Sequence, residues 1–246
     1  MIDWQVVVGS LPEFARGLRV SLLLLVISVA TGFVLSVPLA VARVSRRRWL
    51  AWPVWGFTYV IRGTPLLVQL FIVYYGLAQF PALRESFLWP LLREAWFCAW
   101  LVFSLNTTAY TTEIFAGALR ATPSGEMDAA RAYGLWGLKL YTRILLPGAL
   151  RRALPQYSNE VVGMMHATAI ASTVTLVDVT RVARDVYANH LLPAEAFGTA
   201  AVIYAVLTAV MVGGFKLLER RYLRHLRTDR SAPAPASLPA VPHPAA

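Results

Sequence analysis

The sequence predicts an all-α, polytopic membrane protein. Of its 246 residues, 57% are hydrophobic and only 15% are charged, whereas soluble domains average about 45–50% apolar and about 25% charged residues. The hydrophobic residues form long runs, and a helix needs roughly 20 such residues to cross a bilayer. We therefore predict one transmembrane domain over residues 1–230, with five spans at roughly 18–42, 65–80, 95–119, 156–176 and 199–218.

Basic residues are unevenly distributed among the connecting segments, and this predicts the orientation. Segments 43–52, 120–152 and 216–230 carry 16 of the 23 Lys and Arg residues but only four of the 13 acidic residues. Short loops rich in Lys and Arg stay in the cytoplasm. We predict an amino terminus outside and a carboxyl terminus inside, with membrane lipid around the spans. The net charge of +10 then reflects topology rather than nucleic-acid binding.

The second apolar run is interrupted by a charge. A continuous helix would place Arg62 deep in the hydrocarbon, which is energetically costly. We predict instead a break at Arg62-Gly63-Thr64-Pro65, where Thr64 caps a new helix and Pro65 takes its first position. The preceding segment 49–61 is rich in Trp and Tyr and is expected near the membrane interface.

Two further segments lie outside the spans. Segment 177–195 has apolar residues at helical spacing, namely Val179, Val182, Ala183 and Val186. This pattern predicts a short amphipathic helix on the outer face. Segment 231–246 holds five prolines and almost no charge, which is typical of a disordered tail, here cytoplasmic.

No motif in the chain indicates catalysis. The phosphate-binding sequence Gly-x4-Gly-Lys-Ser/Thr and the zinc motif His-Glu-x-x-His are absent, and Cys98 is the only cysteine. We interpret Cys98 as a small buried residue. We therefore expect no enzymatic activity, no metal and no cofactor in this chain.

Two carboxylates fall inside predicted spans. Ionisable groups within a membrane are costly and indicate function by default. Glu160 shares a helix face with Met164, so it could meet a cationic ligand in an inner cavity; alternatively, it pairs with Arg62 or Arg151. For Glu113, which lies closer to the cytoplasmic end of its span, we favour a structural role.

The third span is unusually polar. Asn106 and Tyr110, and likewise Thr107 and Thr111, are four residues apart and share helix faces. Such residues either line a path for a polar solute or form hydrogen bonds between helices. The sequence leaves both interpretations open.

The loop before the fourth span predicts a polar cytoplasmic helix. Thr122 and Pro123 fit an N-cap and a first helical residue. Glu126 and Asp128 follow in the early turns, where negative charge suits the helix dipole. Ala129 and Ala130 make the helix slim enough for close approach by a partner, and Gly134 would end it. An interfacial loop helix without a partner is the alternative.

This loop carries a family resemblance. The pattern Asp-Ala-Ala-x3-Gly-x9-Ile-x-Leu-Pro, from Asp128 to Pro147, resembles the cytoplasmic loop of ABC importer permeases, which normally opens with Glu-Ala-Ala. Further segments resemble permeases for polar amino acids of the histidine/glutamine type: 62–70, 74–76, 109–115, 154–160, 167–176 and 218–221. The resemblance as a whole runs from about residue 15 to residue 225.

The resemblance implies a type I importer permease fold and a division of labour. A soluble binding protein outside delivers an amino acid, two permease subunits form the path, and a dimer of ATPase subunits binds the ATP. The loop helix over about 123–137 would couple to the ATPase through Glu126, Asp128, Ala129, Ala130 and Gly134. Spans three and four would line the path with Glu160, Met164, Asn106 and Thr107.

The resemblance further implies import across a bacterial cytoplasmic membrane by a homo- or heterodimer of permeases. A carboxylate at Glu160 suits a basic side chain, as in arginine, lysine, ornithine or histidine. The sequence resembles permeases for these substrates, or for opines, more than it resembles glutamine permeases. Two other functions remain. An ion-coupled secondary transporter is disfavoured by the lack of an internal repeat, and a non-transporting scaffold predicts no ligand-facing polar residues in spans three and four.

Overall fold

A computed structural model describes residues 3–222, and all regular structure in that range is helical. The predicted tail, 231–246, lies outside the described residues. The helices run in this order: α1 Trp4–Arg43, α2 Arg48–Gly63, α3 Leu66–Phe71, α4 Pro81–Arg84, α5 Trp89–Leu92, α6 Ala95–Arg120, α7 Ser124–Ala132, α8 Gly137–Leu140, α9 Leu146–Ala167, α10 Val179–His190 and α11 Pro193–Tyr222.

Several helices continue in other helical forms. A π-helix at Ile72–Gly76 and a 3-10 turn at Leu77–Gln79 extend α3. A π-helix at Tyr141–Leu145 joins α8 to α9, and a 3-10 helix at Thr168–Val174 continues α9. The helix that contains most of the predicted fourth span, 156–176, already starts in the polar loop, about three turns before residue 156.

The long helices α1 and α6 form the central pair. Most of the buried residues of α1 are Gly, Ala or Ser, and such small residues allow helix axes to approach closely. Gly32 packs so tightly on Thr107 of α6 that a Cβ atom there would overlap its methyl group. Gly17 likewise lies against the backbone of Asp178, where a Cβ would be 2.9 Å from the carbonyl carbon.

The chain bends by 100° between α2 and α3. Thr64, which precedes Pro65, is extended, as residues before proline prefer. The Gln69 side-chain amide donates to the Ile61 carbonyl oxygen at 2.7 Å and to the Thr64 carbonyl oxygen at 3.0 Å. It thereby satisfies backbone groups that the break leaves without helical partners.

The predicted cap at this bend was wrong in detail. Thr64 ends α2 rather than starting α3, and its hydroxyl donates to the Val60 carbonyl oxygen at 2.9 Å. Pro65 occupies the N-cap position, so α3 begins at Leu66 without a side-chain cap. The restricted backbone of Pro65 produces the break. The Thr64 hydroxyl instead satisfies a carbonyl oxygen of α2, the helix that Thr64 ends.

The predicted amphipathic helix is confirmed as α10. Its apolar residues are buried against α1 and α11 together with Phe14 and Ala196. Asp178 caps the helix, because its Oδ1 accepts a hydrogen bond from the Arg181 amide at 2.8 Å. Arg184 donates a hydrogen bond to the Ser172 hydroxyl and ties α10 back to the end of α9.

The predicted number of five spans is not confirmed. By length and hydropathy, α1 and α11 alone of the described helices could each cross a membrane; each bent pair adds one more, for a total of four. The remaining helix, α6, has 26 residues and is about 39 Å long at 1.5 Å per residue. Its hydropathy is lowered by polar residues that are buried within the bundle, such as Thr107, Thr108 and Thr111.

Candidate functional site

The bend between α2 and α3 faces α6 and α9 across a cavity of about 450 Å³. Its lining combines two charged and several small or polar residues: Arg62, Gly63, Thr64, Pro65, Leu66, Asn106, Tyr110, Glu160, Gly163, Met164 and Ala167. The four residues of the predicted break and three of the four predicted path residues thus meet in one place. The size is typical of sites for small molecules.

Among residues 3–222, Glu160 is the single acidic residue that lines this cavity. Within the described part of the chain, no Lys or Arg nitrogen lies within 4.0 Å of its carboxylate. The nearby Arg62 guanidinium attracts it at longer range, and Arg151 forms no ion pair among the described residues. The carboxylate therefore has capacity left for a cationic ligand.

Arg62 is held on the opposite wall by an aromatic ring. Its guanidinium carbon lies 5.0 Å from the centre of the Tyr110 ring, a cation–π distance. Tyr110 was not among the predicted path residues, although its position four residues after Asn106 places it on the same helix face. Gly163 was also missed; it lies three residues after Glu160 and leaves room beside the carboxylate.

A second cavity of about 690 Å³ continues from the first. Arg62, Tyr110 and Glu160 line both cavities, so they stand at the neck between them. The second cavity extends past Gln156 to Ala121 and Arg152. It therefore opens toward the end of the bundle that carries residues 121–136, which we call the loop end.

The polar residues of α6 divide between the two predicted roles, lining a path and packing against other helices. Asn106 lines the cavity. Thr107 does not line it but packs against Gly32 of α1, and its buried hydroxyl has no hydrogen-bond partner among residues 3–222. Thr111 is fully buried in the same way. Met164 is 3% exposed and connects the cavity wall to the central apolar cluster.

The Glu113 carboxylate forms hydrogen bonds within the bundle. Its Oε1 accepts hydrogen bonds from Arg43 Nε at 2.7 Å and from the Thr58 hydroxyl at 2.8 Å. These contacts join α6 to α1 and α2. The geometry agrees with the structural role favoured from the sequence, although Glu113 also borders the second cavity.

The loop end carries the predicted polar helix as α7, with one correction. Thr122 does not cap α7: its hydroxyl accepts a hydrogen bond from Arg152 Nη2 at 2.6 Å, and Pro123 occupies the N-cap position. Gly134 adopts a left-handed backbone with φ of +73° and ends the helix. A side chain at that position would be strained.

The two faces of α7 differ. Ala130 is buried and packs with Met127 into the apolar cluster beneath the loop. Glu126, Asp128 and Ala129 are exposed. Beyond the helix, the Tyr133 and Trp136 rings are 88% and 64% exposed. Large exposed aromatic residues next to an uncovered helix face are typical of a protein–protein contact surface.

The sequence and the fold are similar to those of known transport proteins. The family model described as "Binding-protein-dependent transport system inner membrane component" matches residues 32–224. The chain belongs to this family. It is 47% identical over 212 residues to the histidine/lysine/arginine/ornithine transport system permease protein HisM of Escherichia coli (strain K12), covering 86% of this chain and 89% of HisM.

A second relative and a solved structure are also similar to most of the chain. The octopine transport system permease protein OccM of Rhizobium radiobacter is 44% identical over 92% of this chain and 91% of its own. An amino acid ABC transporter crystallised with histidines superimposes with a TM-score of 0.79 at 29% identity, over 90% of this chain and 99% of that chain.

The inward-facing MetNI methionine ABC transporter, at 18% identity and a TM-score of 0.72, shares the fold over 85% of this chain and 96% of its own. The predicted type I importer permease fold is therefore confirmed, and the chain is an inner-membrane permease subunit of an ABC transport system.

Proposed function

We propose that this chain forms the substrate path of an ATP-driven importer for basic amino acids. The observation that carries the proposal is the cavity at the bend, in which the Glu160 carboxylate has no ion-pair partner within 4.0 Å among the described residues. Asn106 and Met164 complete the wall beside it. The names of HisM and OccM, transporters of cationic amino acids and of octopine, support the same substrate class.

The charges of the cavity match a basic amino acid. Such a substrate has an α-carboxylate and a cationic side chain, and the cavity offers one cation and one anion. Glu160 would receive the cationic side chain in a charge-assisted hydrogen bond. Arg62 would attract the α-carboxylate, while Tyr110 holds the guanidinium in place. A substrate with a neutral side chain would offer no positive charge to the Glu160 carboxylate.

The energy would come from partner subunits. An ATPase dimer would bind the exposed side of α7 through Glu126, Asp128 and Ala129, while the buried Ala130 and the turn at Gly134 fix the helix on the bundle. A second permease copy or sibling would complete the path, and an extracytoplasmic binding protein would deliver the substrate. In this arrangement the loop end faces the cytoplasm and the amino terminus lies outside, as the distribution of basic residues favours.

Reconstitution tests this function. The chain is placed in liposomes with candidate ATPase and binding-protein subunits, and uptake of labelled arginine is measured with ATP on the ATPase side. We expect uptake that requires ATP and persists when an ionophore removes the proton gradient. Uptake driven by a proton gradient without ATP would identify a secondary transporter. Assembly without any uptake would favour a scaffold.

A further inference from the structure

Arg152 links the three segments that meet at the loop end. Its Nε donates to the Ala118 carbonyl oxygen at 3.4 Å, and its Nη2 donates to the Thr122 hydroxyl at 2.6 Å. Its Nη1 lies 3.7 Å from Glu126 Oε2. One guanidinium on α9 thus binds the last turn of α6, the connection after it and the first turn of α7.

This arrangement is supported on both sides of the guanidinium. Positive charge is favourable near the carboxyl end of a helix, where carbonyl groups lack helical partners, and Ala118 lies in the last turn of α6. On its own helix, Gly148 leaves space for the side chain, because a Cβ there would stand 3.3 Å from Arg152 Nη1. The guanidinium therefore has room on its own helix and partners on the neighbouring segments.

Arg152 also lies on the helix that carries the cavity carboxylate. It precedes Glu160 by eight residues, which is about 12 Å along one continuous helix. Both residues line the second cavity. A displacement of α7 that is transmitted to Arg152 would therefore move the helix wall on which Glu160 stands.

We propose that Arg152 is a positioning residue that transmits movement of α7 to the Glu160 segment of α9. This inference rests on the proposed function, in which α7 receives its movement from an ATPase. Packed helices respond to such a push as rigid bodies. Without the guanidinium, α7 remains attached through Ala130 and Met127, but its first turn is no longer fixed to α9.

The first test measures the contact in the full-length chain alone. Amide hydrogen exchange over residues 124–132 is compared among the wild-type protein, Arg152→Ala, Arg152→Lys and Arg151→Ala. Arg151 is the matched control, because it is the adjacent arginine, is exposed and forms no ion pair among the described residues. We expect exchange in α7 to increase about tenfold in Arg152→Ala, the effect of losing one hydrogen bond to a charged group.

The exchange experiment has clear alternative outcomes. Arg152→Lys keeps the charge but cannot bridge three acceptors, so its exchange should fall between wild type and Arg152→Ala. Thr122→Val removes one acceptor, and in the Arg152→Ala background it should add no further effect, because both changes remove the same bond. Unchanged exchange in Arg152→Ala would overturn the proposal, as would an equal increase in Arg151→Ala.

The second test separates transmission from mere stability in the reconstituted transporter. We expect Arg152→Ala to lower arginine uptake about tenfold while ATP hydrolysis changes less than about twofold, so that fewer substrates enter per ATP. Arg151→Ala should keep the wild-type ratio. An unchanged ratio in Arg152→Ala, or parallel loss of uptake, hydrolysis and assembled complex, would overturn the proposal. A wild-type transporter without uptake would instead refute the proposed function. The hydrogen-exchange test would still show whether Arg152 holds α7 in place.

Discussion

Replacing Glu160 by Gln tests the charge of the cavity with almost no change in shape. The carboxylate has no ion-pair partner within 4.0 Å among residues 3–222, so the variant disrupts no close internal pair. What it removes is the charge available to a cationic ligand. A hydrogen bond to a charged group contributes about 1.5–3 kcal/mol, which corresponds to about 10- to 150-fold in affinity. The lower end is expected, because Arg62 also faces the cavity and repels a cation.

The assay compares arginine with citrulline, which has the same shape but a neutral end group. Binding of each to the purified permease complex is measured in detergent without the binding protein, so that delivery does not impose its own selectivity. We expect Glu160→Gln to weaken arginine binding by at least about tenfold and to change citrulline binding less than about twofold. The ratio of the two affinities is therefore the decisive quantity.

Glu113→Gln is the matched control. This carboxylate borders the second cavity, but it is engaged with Arg43 and Thr58 at 2.7 and 2.8 Å. We expect its loss to lower thermal stability and to leave the arginine-to-citrulline ratio as in wild type. Equal weakening of both ligands by Glu160→Gln would refute the role of Glu160 as the partner of a cationic side chain.

Three further predictions follow from the backbone and the packing. Gly32→Ala should lower the melting temperature in detergent, because overpacking against Thr107 costs about 1–3 kcal/mol; Gly214→Ala, where the structure leaves open space, should not lower it. Gly134→Val should abolish uptake while membrane insertion is retained, because a β-branched residue is strained at a φ of +73°; normal uptake would contradict the role of this turn. Burial raises the pKa of Asp178, because desolvation disfavours the charged carboxylate. Asp178→Asn, which keeps a side-chain oxygen at the cap without the charge, should be at least as stable as wild type at neutral pH. Asp178→Ala should lower the free energy of unfolding by about 1 kcal/mol, because the N-cap of α10 is lost. Equal unfolding free energies for the two Asp178 variants would contradict that cap.

The sequence predicted the parts of the fold that depend on local chemistry. Proline and charge together located the bend at residues 62–65, because neither fits inside an apolar helix. The spacing of Val179, Val182 and Val186 predicted α10. The number of spans is not confirmed: the predicted third span, 95–119, coincides with α6, but the polar residues that α6 buries in the bundle make it less apolar than α1 and α11.

The sequence also predicted only some of the site residues correctly. Glu160, Met164 and Asn106 meet in the cavity, but Thr107 turns toward Gly32, because one step along a helix rotates a side chain by about 100°. Thr122 looked like an N-cap from its position before Pro123. Its hydroxyl is taken instead by Arg152, 30 residues later in the chain, and no local pattern encodes that contact.

The cavity between the bend and α9 is the proposed site of the basic amino acid. Determining the structure of the assembled transporter with arginine bound tests this directly. We expect density in the cavity, with the guanidinium within about 3 Å of the Glu160 carboxylate and the α-carboxylate toward Arg62. An occupied site elsewhere in the chain, or arginine bound with its carboxylate against Glu160, would contradict it.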